Sequence, residues 1–487
     1  MLWSDIERMR ESGTLEAKLA KGGIPASLWE TYSAFANTEG GVILLGVREE
    51  EYGSLMVEGL ANPDGLIKKF WDAVNNPSKV SANLLTSEDV TVHEVEGKRL
   101  VVINVPRAPR QARPVYVGKD RDRGTYRRNG EGDYHCSPDE ILAMVRDASV
   151  VPLDALVLED FSIEALSTES IDRFRLSLEA IRPDHPWVKL GHEDLLIKLN
   201  AAGRKSGEGD IHPTRAGLLM FGHEYEIIRE YPEYFLDYRE MGEGARWRDR
   251  VVSNDGTWSG NIFDFWSMVL PRLAAGVKRP FALSETLQRR EDTEMHAAVR
   301  EAFVNALVHA DYYGRRGVVA LRHPDRVEMG NPGGLRIALD VMLAGGVSDA
   351  RNPTLMKMFG LINACEKAGS GFDVMRRAAA EARAQPPEAR EEFKPDRVTV
   401  TVYFGEAASM APVEANEAAA SGEERAPESD EQRILSFARS QGEFSRRDVE
   451  HLLDCGPTKA KGLVGSLLKQ GLIVARGVGR STRYVLR

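Results

Sequence analysis

Apolar residues along this chain fall into short runs and helical stripes, separated by polar and glycine-rich breaks. Residues 28–35 read as a helix, Asn37-Thr-Glu-Gly-Gly41 as a turn and VILLGV (42–47) as a short buried strand. RLVVINV (99–105) is a second strand, so residues 1–149 are expected to form a small α/β unit. Residues 150–290 mix helical stretches with strand-like pieces such as GLLMFG (217–222), carry no chemical motif, and read as a connector. From 293 the order becomes helix, hairpin, glycine loop, helix, glycine loop, helix and a final strand, VTVTVYF (398–404). There TEMHAAVREAFVNALVHADY is helical by its residue choice, and 318–321 with 326–329 form a hairpin around His323-Pro324-Asp325. Near the carboxy terminus Glu431 to Arg439 reads as a helix, and Ser445 with Asp448 opens a second by a capping box. Gly456-Pro457 opens a third, and LIVARGVGRSTRYVLR then reads strand, turn, strand. No internal repeat is visible.

With 487 residues and about 150 per domain, roughly three domains are expected. Hydrophobic (42%) and charged (28%) fractions exclude a mainly disordered, collagen-like or coiled-coil chain. The net charge of −10 excludes a uniformly basic coat protein but leaves room for local basic faces. One lies between Arg107 and Arg128, where eight basic residues stand against Asp120 and Asp122 for a net of +6. Residues 406–429 hold six Glu and one Arg without an aromatic residue, the composition of a flexible, solvated acidic linker. Residues 430–487 carry eleven basic and six acidic side chains, net +5. The three cysteines, Cys136, Cys365 and Cys455, are too dispersed for a disulfide framework or zinc cluster. The start MLWSDIERMRESG has no signal-peptide pattern and no run of about 18 apolar residues exists, so a cytoplasmic protein without membrane contact is expected.

The chemistry centres on one polar stripe. Glu301, Asn305 and His309 stand at i, i+4 and i+8 on one face of an otherwise apolar helix, which must aim them at water, a partner or a ligand. A solvated face is the plain alternative. Gly369-Ser-Gly371 precedes a second helix, where backbone N–H groups and the helix dipole favour a phosphate.

Taken in order, EAFVNA, NPGG (331–334) and GSG (369–371) resemble the ATP-binding domain of the GHKL superfamily, the ATPases of gyrase, histidine kinases and MutL. The closer likeness is to its divergent RecG-like subgroup, through HAAVREAFVNALVHADY, NPGG, RNPTL and GSGF. The resemblance implies an α/β-sandwich of Bergerat type over 291–405 that binds ATP with Mg²⁺. Asn305 would hold the metal, Glu301 would activate water, and His309, Asn331, Gly333, Gly334, Gly369, Ser370 and Gly371 would line the nucleotide. Asn331 stands where that superfamily usually has an adenine-reading Asp.

ESGTLEAKLAKG, AFANTEGG and RPVYVGKDRDRGTYRRNG resemble the Schlafen AlbA-like domain, which implies nucleic-acid binding. Arg121, Arg123, Arg127 and Arg128 interleave with Tyr126, a pattern suited to phosphate contact and stacking; a solvated charged loop is the alternative. Some Schlafen relatives are metal-dependent nucleases, and on that resemblance Glu11 and Glu16 would hold Mg²⁺ or Mn²⁺ while Lys18 meets the phosphate; otherwise Glu16 and Lys18 are fold-supporting charges. Residues 430–487 look like a winged helix-turn-helix, with Lys459, Lys461, Arg476, Arg480 and Arg483 toward DNA, although such modules also dock proteins.

The whole resembles a family of transcriptional regulators: an α/β multidomain chain that binds DNA, and RNA as a further candidate, responds to ATP and forms homodimers. The rivals are an ATP-gated nuclease acting in defence or RNA turnover, and a non-catalytic scaffold with a degenerate pocket.

Overall fold

The computed structural model describes residues 6, 10–50, 53–204, 209–242, 247–277, 293–365, 371–405, 434, 444–446, 448–449, 457–469, 472–476 and 483–486. The chain divides into two compact units, Met1–Ala408 and Ser409–Arg487.

Among its described residues the first unit contains two large sheets and three two-stranded ones. The amino-terminal one has four strands: β1 (Leu15–Lys18), β2 (Gly40–Leu45), β3 (Val90–Val95) and β4 (Lys98–Pro106), in the order β1-β2-β4-β3. β1 runs parallel to β2 with Leu15 opposite Val42, and β4 is antiparallel to both its neighbours. Helix α1 (Ser27–Ala36) lies across this sheet and buries Trp29, Tyr32 and Phe35 completely or nearly so. Each such side chain contributes about 1.5–3 kcal/mol by leaving water. Gly41 is needed beneath α1, because a Cβ there would stand 2.8 Å from the Phe35 ring. The AFANTEGG segment acts as a staple. Asn37 Nδ2 donates to the carbonyls of Val115 (2.7 Å) and Tyr126 (3.0 Å), and its Oδ1 accepts from Val115 N at 2.8 Å. Those bonds pin the basic tail to the sheet. Helix α2 (Pro138–Ala148), capped reciprocally by Ser137 and Glu140, follows that tail.

The second sheet has six strands: β5 (Leu236–Met241), β6 (Trp247–Val252), β7 (Val318–Arg322), β8 (Arg326–Pro332), β9 (Glu388–Phe393) and β10 (Asp396–Tyr403), in the order β6-β5-β7-β8-β10-β9. The pairs are antiparallel except β5 with β7, which is parallel with Leu236 opposite Val318. One continuous core runs from Leu158 to Phe404. Residues 150–277 are therefore more than a connector: they add two strands and several helices to the domain whose motifs begin at 293. GLLMFG also departs from expectation. Its first five residues lie in helix α3 (Arg215–Phe221), not in a strand, because Thr214 Oγ1 accepts from Gly217 N (3.1 Å) and caps a helix whose residues 216–221 are all apolar and buried. Helices α4 (Glu294–Val308), α5 (Pro353–Leu361) and α6 (Gly371–Ala382) pack against the same core.

In the second unit, α7 (Pro457–Lys469) leads to antiparallel β11 (Ile473–Arg476) and β12 (Arg483–Leu486), with Ile473 opposite Leu486. Phe444, Val449, Ala460, Val464, Leu467 and Ile473 form its core. Ser445 and Asp448 make the expected reciprocal cap, Ser445 N donating to Asp448 Oδ2 at 2.7 Å. The acidic linker, Gly369, Ser370, Arg480 and all of 431–439 except Ile434 lie outside the described residues. Among the described residues no helix is long and apolar enough to cross a membrane.

Candidate functional site

Helix α4 begins at Thr293, whose side chain caps it, and carries Glu301 and Asn305 one turn apart. Glu301 is buried, Asn305 is half-buried, and Asn305 Nδ2 donates to Glu301 Oε1 at 3.2 Å. That bond turns the carboxamide oxygen away from the carboxylate. Gly371, first residue of α6, packs straight onto the pair: a Cβ there would lie 2.8 Å from Asn305 Nδ2 and 2.9 Å from Glu301 Oε1. Only glycine lets α6 start so close. A cavity opens over these three residues. Its lining combines Glu301, Asn305, Asn331 and Gly334 with the apolar side chains of Met329, Met342, Phe372, Met375, Val398 and Val400. Hard oxygen donors together with apolar side chains and a helix start suit a flat heterocycle carrying phosphates and a divalent cation.

His309 also lines this cavity. Dehydration of its ring, with Arg351 and Arg336 nearby, pushes its pKa down to about 4, so it is neutral at pH 7. Asn331 is buried near the end of β8 and its Nδ2 donates to Pro332 O at 3.3 Å. Gly334 reaches the cavity, but Gly333 is not among its lining residues. Gly333 has φ +94°, and a Cβ there would stand 2.7 Å from Arg351 Nη1, so its role is to admit that arginine. Arg351 donates to the carbonyls of His309 and Gly334 and, through Nε (2.9 Å) and Nη2 (2.8 Å), to both oxygens of Asp147. Burial raises the Asp147 pKa, but Arg351 and then Arg336 outweigh this and hold it well below the usual carboxylate range. Sequence reasoning missed Asp147, Arg336 and Arg351; the signal available was the Arg of RNPTL.

The amino-terminal candidates resolve differently. Lys18 Nζ and Arg128 Nη2 both donate to Glu16 at 2.8 Å, so its carboxylate already has two cations. Glu11 accepts from Ala17 N at 2.8 Å, and burial, then Glu16 and Glu49, raise its pKa. Among the described residues no group of three or more His, Cys, Asp or Glu could hold a metal ion. The arginines divide. Arg128 pairs with Glu16 and Asp133, and Arg127 pairs with Asp396; their side chains are 2% and 8% exposed. These two are structural, which removes them from the nucleic-acid candidates. Both line a cleft of about 1140 Å³ whose eight basic side chains face eight acidic ones, so it does not focus a field for phosphates. Arg121 and Arg123 do face solvent, Arg123 with a 90% exposed side chain. Tyr126 is engaged with the His135 ring, centroids 4.3 Å apart.

In the second unit Lys459 and Lys461 sit exposed near the start of α7, Arg483 is exposed on β12, and Arg476 ends β11 opposite it.

Against this geometry, residues 11–137 match the family model Schlafen, AlbA_2, and residues 319–402 match the model described as putative ATP-dependent DNA helicase recG C-terminal. Residues 142–237 match a domain of unknown function, DUF8451. No curated protein matches the chain. Among solved structures, the DIP2311 protein from Corynebacterium diphtheriae is 18% identical, covering 97% of this chain and 94% of that one, with a TM-score of 0.39. The N-terminal domain of a putative ATP-dependent DNA helicase RecG-related protein from Nitrosomonas europaea is 28% identical, covering 28% of this chain and 90% of that one, with a TM-score of 0.21. The chain thus carries a Schlafen AlbA_2 domain and a recG-C-terminal, ATPase-like domain within a mixed α/β multidomain structure.

Proposed function

We propose that this chain is a nucleic-acid-binding regulator whose state responds to ATP bound with Mg²⁺ between α4, α6 and β10, in a pocket of Bergerat type. The observation that carries this reading is the cavity that gathers Glu301, Asn305, Asn331, Gly334 and Gly371 from three separate stretches of sequence. The donor set suits the metal, since the bond to Glu301 uses only Asn305 Nδ2 and leaves the carboxamide oxygen beside a carboxylate as an oxygen donor. Bound Mg²⁺ would neutralise phosphate charge. Asn305 holds it, Asn331 reads the base edge, the Gly371 end of α6 meets the phosphates, and Glu301 takes a proton from water in hydrolysis. The Schlafen AlbA_2 match and the net charge of +5 on residues 430–487, where a helix is followed by a two-stranded antiparallel pair, support the nucleic-acid side of the reading. Homodimerisation around nucleotide would double each binding surface.

The nuclease alternative lacks comparable support, because Glu16 is neutralised by Lys18 and Arg128. Calorimetric titration with ATP and Mg²⁺ tests the proposal: wild type binds, Asn305→Ala does not, and Glu301→Ala binds without hydrolysing. Absence of binding to folded wild type refutes it.

A further inference from the structure

The segment 334–351 forms the outer wall of the proposed nucleotide pocket, through Leu335, Arg336, Asp349 and Arg351. Its other side is held by the amino-terminal domain. Arg107 Nη2 donates to Leu335 O at 2.9 Å while also pairing with Glu391, and Arg113 Nη2 reaches the same carbonyl at 3.3 Å. Arg110 pairs with Asp349 and anchors itself on the carbonyls of Asp147 (2.7 Å) and Ser149 (2.8 Å). Asp147 accepts from Arg336 Nε at 3.1 Å and from Arg351 Nε at 2.9 Å. Arg351 continues inward to the carbonyl of His309, whose own N–H donates to Asn305 O at 3.0 Å. A chain of bonded groups therefore runs from the amino-terminal domain to the residue assigned to the metal. Neither Arg110 nor Asp147 lines the pocket itself.

We propose that the amino-terminal domain sets the affinity of the nucleotide pocket by clamping this wall, with Arg110 and Asp147 as positioning residues. The clamp preorganises the wall, so binding does not bear the cost of ordering it. Linkage makes the effect reciprocal: nucleotide bound in the pocket must tighten the clamp by the same factor. The polyphosphate of a nucleoside triphosphate would meet Arg336, which Asp147 and Asp349 hold in the wall. This inference rests on the nucleotide reading above.

Calorimetry of the full chain with ATP and Mg²⁺ tests it. Arg110→Ala and Asp147→Asn should each raise the Kd at least about fivefold, the lower end of ordinary coupling between sites. Asp147→Glu, which keeps the charge, should raise it less, and Lys69→Ala, at an exposed position of the helix Pro63–Val74, should not change it. Asp147→Asn leaves a buried arginine short of its partner and could unfold the protein, so hydrogen exchange of wild type provides the second measurement. Adding ATP and Mg²⁺ should slow exchange in 107–113 and 144–149 as well as in the pocket. Binding that leaves those two segments unprotected, with affinities equal to wild type in the variants that fold, overturns the clamp alone. Failure of wild type to bind ATP overturns the nucleotide reading and the clamp with it.

Discussion

Arg127 and Arg128 occupy neighbouring positions in a run that reads as a nucleic-acid surface, yet both charges are satisfied inside the chain. Composition reports how many arginines a segment has; it does not report which of them have a carboxylate waiting some 110 or 270 residues away. That distinction is testable by stability. Arg128→Ala should cost about 3–5 kcal/mol, because Glu16 and Asp133 lose a shared buried partner. Arg123→Ala should stay within about 0.5 kcal/mol of wild type. Urea unfolding distinguishes the two, and equal effects would contradict the assignment. His309 yields a second test at this scale. Its folded pKa of about 4 lies below the ordinary value of 6.5, so the unfolded chain takes up the proton first. The corresponding stability is present above about pH 6.5 and is lost as pH falls toward 4. His309→Gln should therefore narrow its gap to wild type across that window in thermal unfolding; a constant gap from pH 7 to 4 would count against the neutral, dehydrated ring.

At the scale of elements, what the sequence makes legible is what local periodicity decides. Helix α4, the hairpin of β7 and β8, the strand β10 and the Ser445–Asp448 cap lie where the pattern places them. GLLMFG was not legible, because six apolar residues suit a buried helix as well as a strand. Thr214 and the close approach of Ala201 settle it as helix. The parallel pairing of β5 with β7 was hidden too, since it joins residues about 80 apart and leaves no local trace. The same logic explains the pocket: the motif residues were visible singly, while the arginines that clamp its wall were visible only as charge. Two glycines test these helices in opposite directions. Gly217→Ala would place a Cβ 1.7 Å from Ala201 O and should cost about 3 kcal/mol. Gly462→Ala, with nothing within 4 Å, should stabilise α7 by about 0.4–1 kcal/mol. Denaturation of each variant checks both signs, and a neutral Gly217→Ala would remove the packing argument.

At the scale of the whole molecule, the chain joins a nucleotide-pocket candidate, an amino-terminal domain bonded to the segment 334–351, and a second unit whose residues 430–487 carry a net charge of +5. If the second unit is the duplex-binding part, removing residues 430–487 should abolish most gel-shift activity on duplex DNA. The affinity of the intact chain should fall steeply with salt as phosphates release their counterions. A truncated chain that binds duplex as tightly at the same salt would contradict the role of Lys459, Lys461 and Arg483. The central claim, however, is the pocket. A crystal structure of the full chain with Mg²⁺ and a non-hydrolysable ATP analogue tests it most directly. The account predicts the base between Met329, Phe372 and Val400, the metal on Asn305 Oδ1 and the phosphates at the start of α6. Nucleotide density elsewhere, or a metal held away from Asn305, would contradict it.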